Sequence, residues 1–220
     1  MLTCHAHYGI EHISMRENRG SEIVKELTGR TVPTILDPVF FLSNDEWLER
    51  IPNKREIEEP YIFAYFLGAN QKHRNAVQKL AKGIKVVALR HMDQYVEEDE
   101  NFGDIAPYDV SPKRFLNLLR NAEYVCTDSF HGTAFSILNQ KQFVVFNRYV
   151  ENSSFSKNSR IDTLCTNFGV EKRRYKEGMD LISVVEKDID YNLINKKYEK
   201  LKKTTDDYLR VILNEIKNRA

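Results

Sequence analysis

The chain lacks most of the residues and patterns that announce a chemistry by themselves. Three cysteines occur among 220 residues, at Cys4, Cys126 and Cys165, odd in number and far apart. With no paired C-x-x-C there is no sign of a disulfide framework or of a paired-thiolate metal site, and the three read as reduced thiols of a cytosolic protein. No apolar run approaches the roughly 18 residues of a membrane span. The opening Met1-Leu2-Thr3-Cys4-His5 has neither the basic segment nor the apolar core of a signal peptide. There is no Walker-type loop and no G-x-G-x-x-G. A charge excess of either sign is also missing: 33 basic side chains face 32 acidic ones, a net charge of +1. Without a global field, no nucleic-acid partner is expected. What remains is 41% hydrophobic and 11% aromatic residues, enough for a sizeable core in one large domain or a domain with an appendage.

Apolar runs of strand length alternate with segments of helical period. Ile13–Arg16 reads as a strand end, Asn18 as the cap of a helix over Arg19–Leu27 stopped by Gly29, and Val32–Leu36 as strand-like. Asp45–Arg50 is a helical turn with the only tryptophan, Trp47, and Ile51–Pro60 looks like a linker. Then comes a regular series: strand Tyr61–Leu67, helix Gln71–Lys82, strand Ile84–Leu89 and a long polar loop Arg90–Val110. A helix opened by Ser111-Pro112 follows, then strand Tyr124–Thr127, helix Phe130–Asn139, strand Phe143–Phe146 and helix Arg160–Phe168. Such alternation predicts an α/β fold with a Rossmann-like, doubly wound parallel sheet, whose ligands bind at the carboxyl ends of the strands. Ile189–Ala220 reads as one long helix with Tyr191, Ile194, Tyr198, Leu201, Tyr208 and Ile212 on its apolar side. Lys196, Lys197, Lys200, Lys202 and Lys203 form a solvated face, or a contact for an acidic membrane surface or carrier lipid. Three divisions are expected: 1–52 as the remnant of an N-terminal lobe and an inter-lobe segment, 53–187 as a Rossmann-like donor-binding domain, and 188–220 as the C-terminal helix.

The most informative stretch is Ala122–Phe135, where a buried strand breaks at Asp128-Ser129 and a helix starts at once. Unpaired N–H groups and the positive dipole end at a helix start favour an anion. His131 in that first turn adds a group that titrates near neutrality. The competing reading makes Ser129 an N-cap and His131 an ordinary first-turn residue. Arg16 offers a planar cation for phosphate or carboxylate, or else a weak salt bridge with Glu17 or Glu22. The loop Asn147–Arg160, with Arg148, Lys157 and Arg160, follows the next strand and can fold over the same pocket; for Lys157 a solvated position is the simpler reading. Cys4, His5, His7 and His12 have metal-ligand side chains but no metal-site spacing. His73 and His91 read as isolated and exposed, and Cys126 and Cys165 as small core residues. No metal or cofactor is expected.

Several runs together resemble the polysaccharide pyruvyl transferase family. They are Ser14-Met15-Arg16-Glu17, Leu36-Asp37-Pro38, Asn121-Ala122-Glu123, Thr127–Phe135, Phe143-Val144-Val145 and Asn158-Ser159-Arg160-Ile161, in matching order and spacing. The resemblance implies a GT-B-like C-terminal lobe and an active site between lobes. It implies transfer of pyruvyl from phosphoenolpyruvate to a hydroxyl pair of a saccharide or lipid-linked saccharide, giving a cyclic ketal on an exopolysaccharide or cell-wall glycan. His131 and Arg16 match positions that contact the donor or act in catalysis. The candidate substrate-binding set is Asp128, Ser129, Phe130, Gly132, Thr133, Arg148 and Arg160. A GT-B-like glycosyltransferase lobe for a nucleotide sugar, or an inactive binding lobe, are the rival readings. Family members carry a whole lobe before the Ser-x-Arg-Glu run, whereas twelve residues precede Ile13 here, so most of the acceptor-side lobe is expected to be missing. A cytoplasmic location is expected, with peripheral contact at the inner membrane face and self-association left open.

Overall fold

The run Tyr61-Ile62-Phe63-Ala64-Tyr65 is apolar at both parities, so as a strand it needs cover on both faces. A computed structural model, describing residues 10–91, 94–149 and 158–219, provides that cover. In chain order the strands are β1 (Tyr61–Tyr65), β2 (Lys85–Leu89), β3 (Tyr124–Thr127) and β4 (Gln142–Val145). The helices are α1 (Asn18–Thr28), α2 (Asn44–Arg50), α3 (Gln71–Ala81), α4 (Pro112–Asn121), α5 (Phe130–Leu138), α6 (Ser159–Phe168), α7 (Leu181–Val185) and α8 (Tyr191–Lys217). The chain divides into two compact units. One takes Leu42–Asn158 and Val170–Asp190; the other takes the chain up to Phe41, Ser159–Gly169 and the chain from Tyr191 on.

The first unit is an all-parallel sheet in the order β2-β1-β3-β4. Ile62, Ala64, Val86, Ala88, Cys126 and Val144 form one buried cluster with Val77 and Leu80 of α3 and Leu181 and Val185 of α7. On the alternate parity, Phe63 and Tyr65 pack edge-on against Phe115 of α4, which meets Phe135 of α5. Helices therefore lie on both faces, the doubly wound arrangement that the alternation predicts. The caps follow chemistry visible in the sequence: Ser111 Oγ accepts from Arg114 N at 3.3 Å with Pro112 in the first turn. Ser43 and Glu46 form a reciprocal capping box on α2. The loop after β2 returns along that edge strand, where Val87 bridges Ile105 in parallel and Asp104 Oδ2 accepts from Val86 N at 2.7 Å.

The second unit is helical. Ile13–Arg16 and Val32–Leu36 form no strands; a single parallel bridge joins Met15 to Thr34. Hydroxyl groups satisfy much of the remaining backbone: Thr205 Oγ1 accepts from Leu36 N at 3.1 Å, Tyr198 Oη donates to Phe40 O at 3.0 Å, and Tyr208 Oη donates to Ile13 O at 3.0 Å. Phe40 stacks on Phe168 of α6, with ring centroids 5.1 Å apart. Asn18 lies inside α1 rather than capping it; Glu17 holds the cap position without a side-chain bond to the helix start, and Asn18 N donates to Thr163 Oγ1 at 3.3 Å. Gly29, at φ 73°, ends that helix as expected. α8 is shorter at both ends than read, and α7 has no counterpart in the sequence reading. Ile194 and Tyr198 are buried, as their side of the helix requires.

Both core cysteines are fully buried, and burial pushes the Cys126 thiol up to about 12. His73 is not exposed. It packs among Phe66, Phe146 and Tyr175, and burial lowers its pKa to about 4, with Arg74 adding to the shift. Among the described residues, no helix is long and apolar enough to cross a membrane.

Candidate functional site

The strand order reverses between β1 and β3, because the chain goes from β1 out to β2 and then back past β1 to β3. The crevice outside the carboxyl ends of these strands is where such sheets bind ligands. Three loops meet there. The β1 and β3 ends are tied together by hydrogen bonds: Thr127 Oγ1 donates to Tyr65 O at 2.6 Å, and Asp128 accepts from Leu67 N at 2.7 Å and Gly68 N at 2.9 Å. Asp128 is buried, and its pKa is raised by burial, which outweighs those two amides and the nearby Arg148. Arg148, after β4, places Nε 3.8 Å from Asp128 Oδ1. A Cβ on Gly68 would sit 3.0 Å from both Arg148 Cγ and Asp128 Oδ2, so this close approach favours glycine.

The helix start after β3 is tightly packed. Ser129 N donates to Thr127 Oγ1 at 3.0 Å, and Ser129 Oγ accepts from Gly132 N at 3.3 Å as the N-cap. Thr133 donates its amide and its hydroxyl to Ser129 O, both at 2.9 Å. A Cβ on Gly132 would lie 2.6 Å from Thr127 Oγ1, so only glycine lets the helix start rest on the strand end. Phe130, Gly132 and Thr133 are buried, while His131 is exposed. The amides of Gly132 and Thr133 are thus engaged within the protein, and His131 is the residue of the motif that reaches outward.

His131 and Ser129 line a cavity of about 520 Å³, together with Tyr65 at the end of β1 and Arg90 and His91 at the end of β2. Burial raises the pKa of Tyr65, with Arg148 pulling it the other way. His91, read from the sequence as isolated and exposed, is neither. Its Nδ1 lies 2.8 Å from Asp99 Oδ2, and its side chain is 7% exposed. Asp99 Oδ1 in turn accepts from Arg74 Nη2 at 2.6 Å and Nε at 2.9 Å. Arg74 is fully buried, near the Phe66 and Phe102 rings, and donates Nη1 to Gly68 O at 2.9 Å. Burial acts to raise the Asp99 pKa, but His91 and Arg74 together hold it below the usual carboxylate range. Sequence reasoning missed this cluster, because its three members sit on a helix, a strand end and a loop without a shared motif. A larger cavity of about 620 Å³, between α3 and the segment entering α7, touches none of the motif residues.

Arg16 and Arg160 belong to the helical unit. The partner of Arg16 is neither Glu17 nor Glu22: its Nη1 lies 2.5 Å from Oδ2 of the buried Asp37, whose Oδ1 accepts from Val39 N at 3.1 Å. Arg160 lies in the first turn of α6. Of the N-terminal metal-type residues, Cys4, His5 and His7 lie outside the described residues, as does Lys157 of the loop after β4. His12 Nε2 lies 3.4 Å from a Glu215 carboxylate oxygen. Among the described residues, no group of three or more His, Cys, Asp or Glu side chains could hold a metal ion.

A doubly wound parallel sheet with a histidine-bearing cavity at its switch point places the chain in the α/β class, whose ligands bind at the carboxyl ends of the strands. Residues 5–148 match the polysaccharide pyruvyl transferase family model, and the chain belongs to that family. No curated protein matches the chain in sequence. Among solved structures, a glycotransferase of kitacinnamycin matches at TM-score 0.44 and 10% identity, over 71% of this chain and 42% of that one. The wall teichoic acid polymerase TagF matches at TM-score 0.41 and 15% identity, over 94% of this chain and 57% of that one. The iron-containing glycosyltransferase TibC of enterotoxigenic E. coli matches at TM-score 0.33 and 13% identity, over 86% and 50%. The chain therefore spans about half the length of the structures it matches.

Proposed function

We propose that the sheet unit binds the donor in pyruvyl transfer from phosphoenolpyruvate to two hydroxyl groups of a saccharide or lipid-linked saccharide. The observation that carries this reading is the placement of His131: a first-turn residue after β3, exposed at a cavity on the carboxyl edge of the sheet. A proton added to the methylene carbon of phosphoenolpyruvate makes C2 oxocarbenium-like. One hydroxyl oxygen bonds to C2; the second then bonds to C2 as the bond from C2 to the phosphate oxygen breaks. Two hydroxyl protons are released: one balances the proton given to carbon, and the other leaves with phosphate. His131 moves the proton.

The test is thermal unfolding with millimolar phosphoenolpyruvate, beside phosphate and a uridine diphosphate sugar. A ligand held only by the folded state adds about 2.7 kcal/mol of stability at a hundredfold excess over its dissociation constant. The expected result is a rise in midpoint with phosphoenolpyruvate beyond that with phosphate, lost in His131→Ala. A rise with the nucleotide sugar alone would replace this reading with a glycosyltransferase lobe.

A further inference from the structure

Arg90 and His91 line the cavity, and each carries a buried nitrogen atom with no hydrogen-bond partner among the described residues: Arg90 Nε and His91 Nε2. Both side chains are anchored at their other ends. Arg90 Nη2 donates to Phe102 O at 3.0 Å, and His91 Nδ1 rests on Asp99. That carboxylate is already paired with the buried Arg74, so it does not cancel the charge of Arg90. Asp109, also at the cavity, is exposed to water, where its influence is screened. A buried guanidinium N–H without an acceptor is costly, and a charged oxygen is the acceptor that relieves it best. β2 and β3 flank β1, so the Arg90–His91 wall and the His131 wall rise from strands about 10 Å apart. That span suits a small ligand with an acid group at each end.

We infer that Arg90 and His91 form an oxyanion subsite, taking a carboxylate or phosphate oxygen of the small acid that fills this cavity. The inference rests on the donor reading, since phosphoenolpyruvate carries both groups. Arg90 Nε–H donates to one oxygen. His91, held by Asp99 on Nδ1, donates to another through Nε2–H when the ring is protonated. The charged and titratable groups around the ring are Asp99, Arg90 and, behind Asp99, Arg74, with Asp109, Tyr65 and His131 on the cavity wall.

Calorimetric titration of the full chain with phosphoenolpyruvate, inorganic phosphate and pyruvate tests this. Arg90→Gln should weaken phosphoenolpyruvate binding about tenfold or more, the effect of losing one charge-assisted hydrogen bond. Weakened phosphate with unchanged pyruvate assigns the subsite to the phosphoryl group; the converse assigns it to the carboxylate. Arg90→Lys keeps the stem and the charge but has no Nε–H, and serves as the second variant if Arg90→Gln does not fold. Undiminished phosphoenolpyruvate binding in the folded Arg90 variants overturns the subsite, while a loss in His131→Ala alone keeps the donor reading. Phosphate or pyruvate binding lost in Arg90→Gln, with no phosphoenolpyruvate binding by the parent chain, keeps the subsite and overturns the donor reading. No binding of any of the three overturns both.

Discussion

The segments that leave β2 and β3 each carry a histidine, and they hold it in opposite ways. After β3, Asp128, Ser129, Gly132 and Thr133 bond to or pack on the chain itself, and His131 stands exposed at the end of that framework. After β2, the His91 side chain is largely shielded and fixed through Asp99 to Arg74, and it and Arg90 each keep a buried nitrogen atom without a partner among the described residues. The run richest in recognisable residues is therefore mostly a device for joining strand to helix at short distance. The polar loop without a motif supplies the buried donors. A dense sequence signature can record a demanding packing geometry as much as a ligand.

Three substitutions sharpen or break this contrast. Arg74→Ala leaves Asp99 buried with only His91 as partner; breaking a buried pair of this kind costs about 3–5 kcal/mol, the largest loss expected, read as a fall in the denaturant midpoint. A loss below about 1 kcal/mol would mean that Asp99 does not depend on Arg74 and would unmake the relay behind His91. Asp128→Ala removes the acceptor for Leu67 N and Gly68 N; both residues are half-buried, so water relieves part of the cost and the loss expected is about 1–3 kcal/mol in all. Amide exchange at those two positions, compared with Ala88, would show whether the loss is local. His131→Ala should change stability by less than about 0.5 kcal/mol, because the side chain is exposed. A much larger loss would make His131 a packing residue like its neighbours and erase the contrast.

Much of the sheet unit is legible in the sequence because its signals are local. Continuous apolar runs give buried parallel strands, and Ser111-Pro112 marks where α4 begins. The failures lie where a distant partner decides. Val32–Leu36 has strand-like composition, but it pairs with its neighbour only through a single bridge around Met15, and beyond that bridge Leu36 N is served by Thr205, 169 residues on. Arg74 lies in a helix whose sequence gives no sign of a buried charge, and its charged partner, Asp99, comes 25 residues later. His91 and Asp99 are eight residues apart in a loop with no periodicity, so nothing local foretells their meeting. At the motif, the helix start after β3 and the first-turn place of His131 follow from the sequence, whereas its exposure does not. The close approach that makes Gly132 necessary needs the strand beneath it.

The two core cysteines fall one in each unit, Cys126 on β3 and Cys165 on α6, and both are wholly shielded from solvent. A thiolate reagent meets such a side chain only when its surroundings come apart, the more so for Cys126, whose thiol is held far from ionising. In a chain with Cys4 replaced by serine, the labelling rates at the two positions would time the opening of each unit separately. The protein thus carries its own pair of clocks for learning whether sheet and helices unfold as one body or in turn.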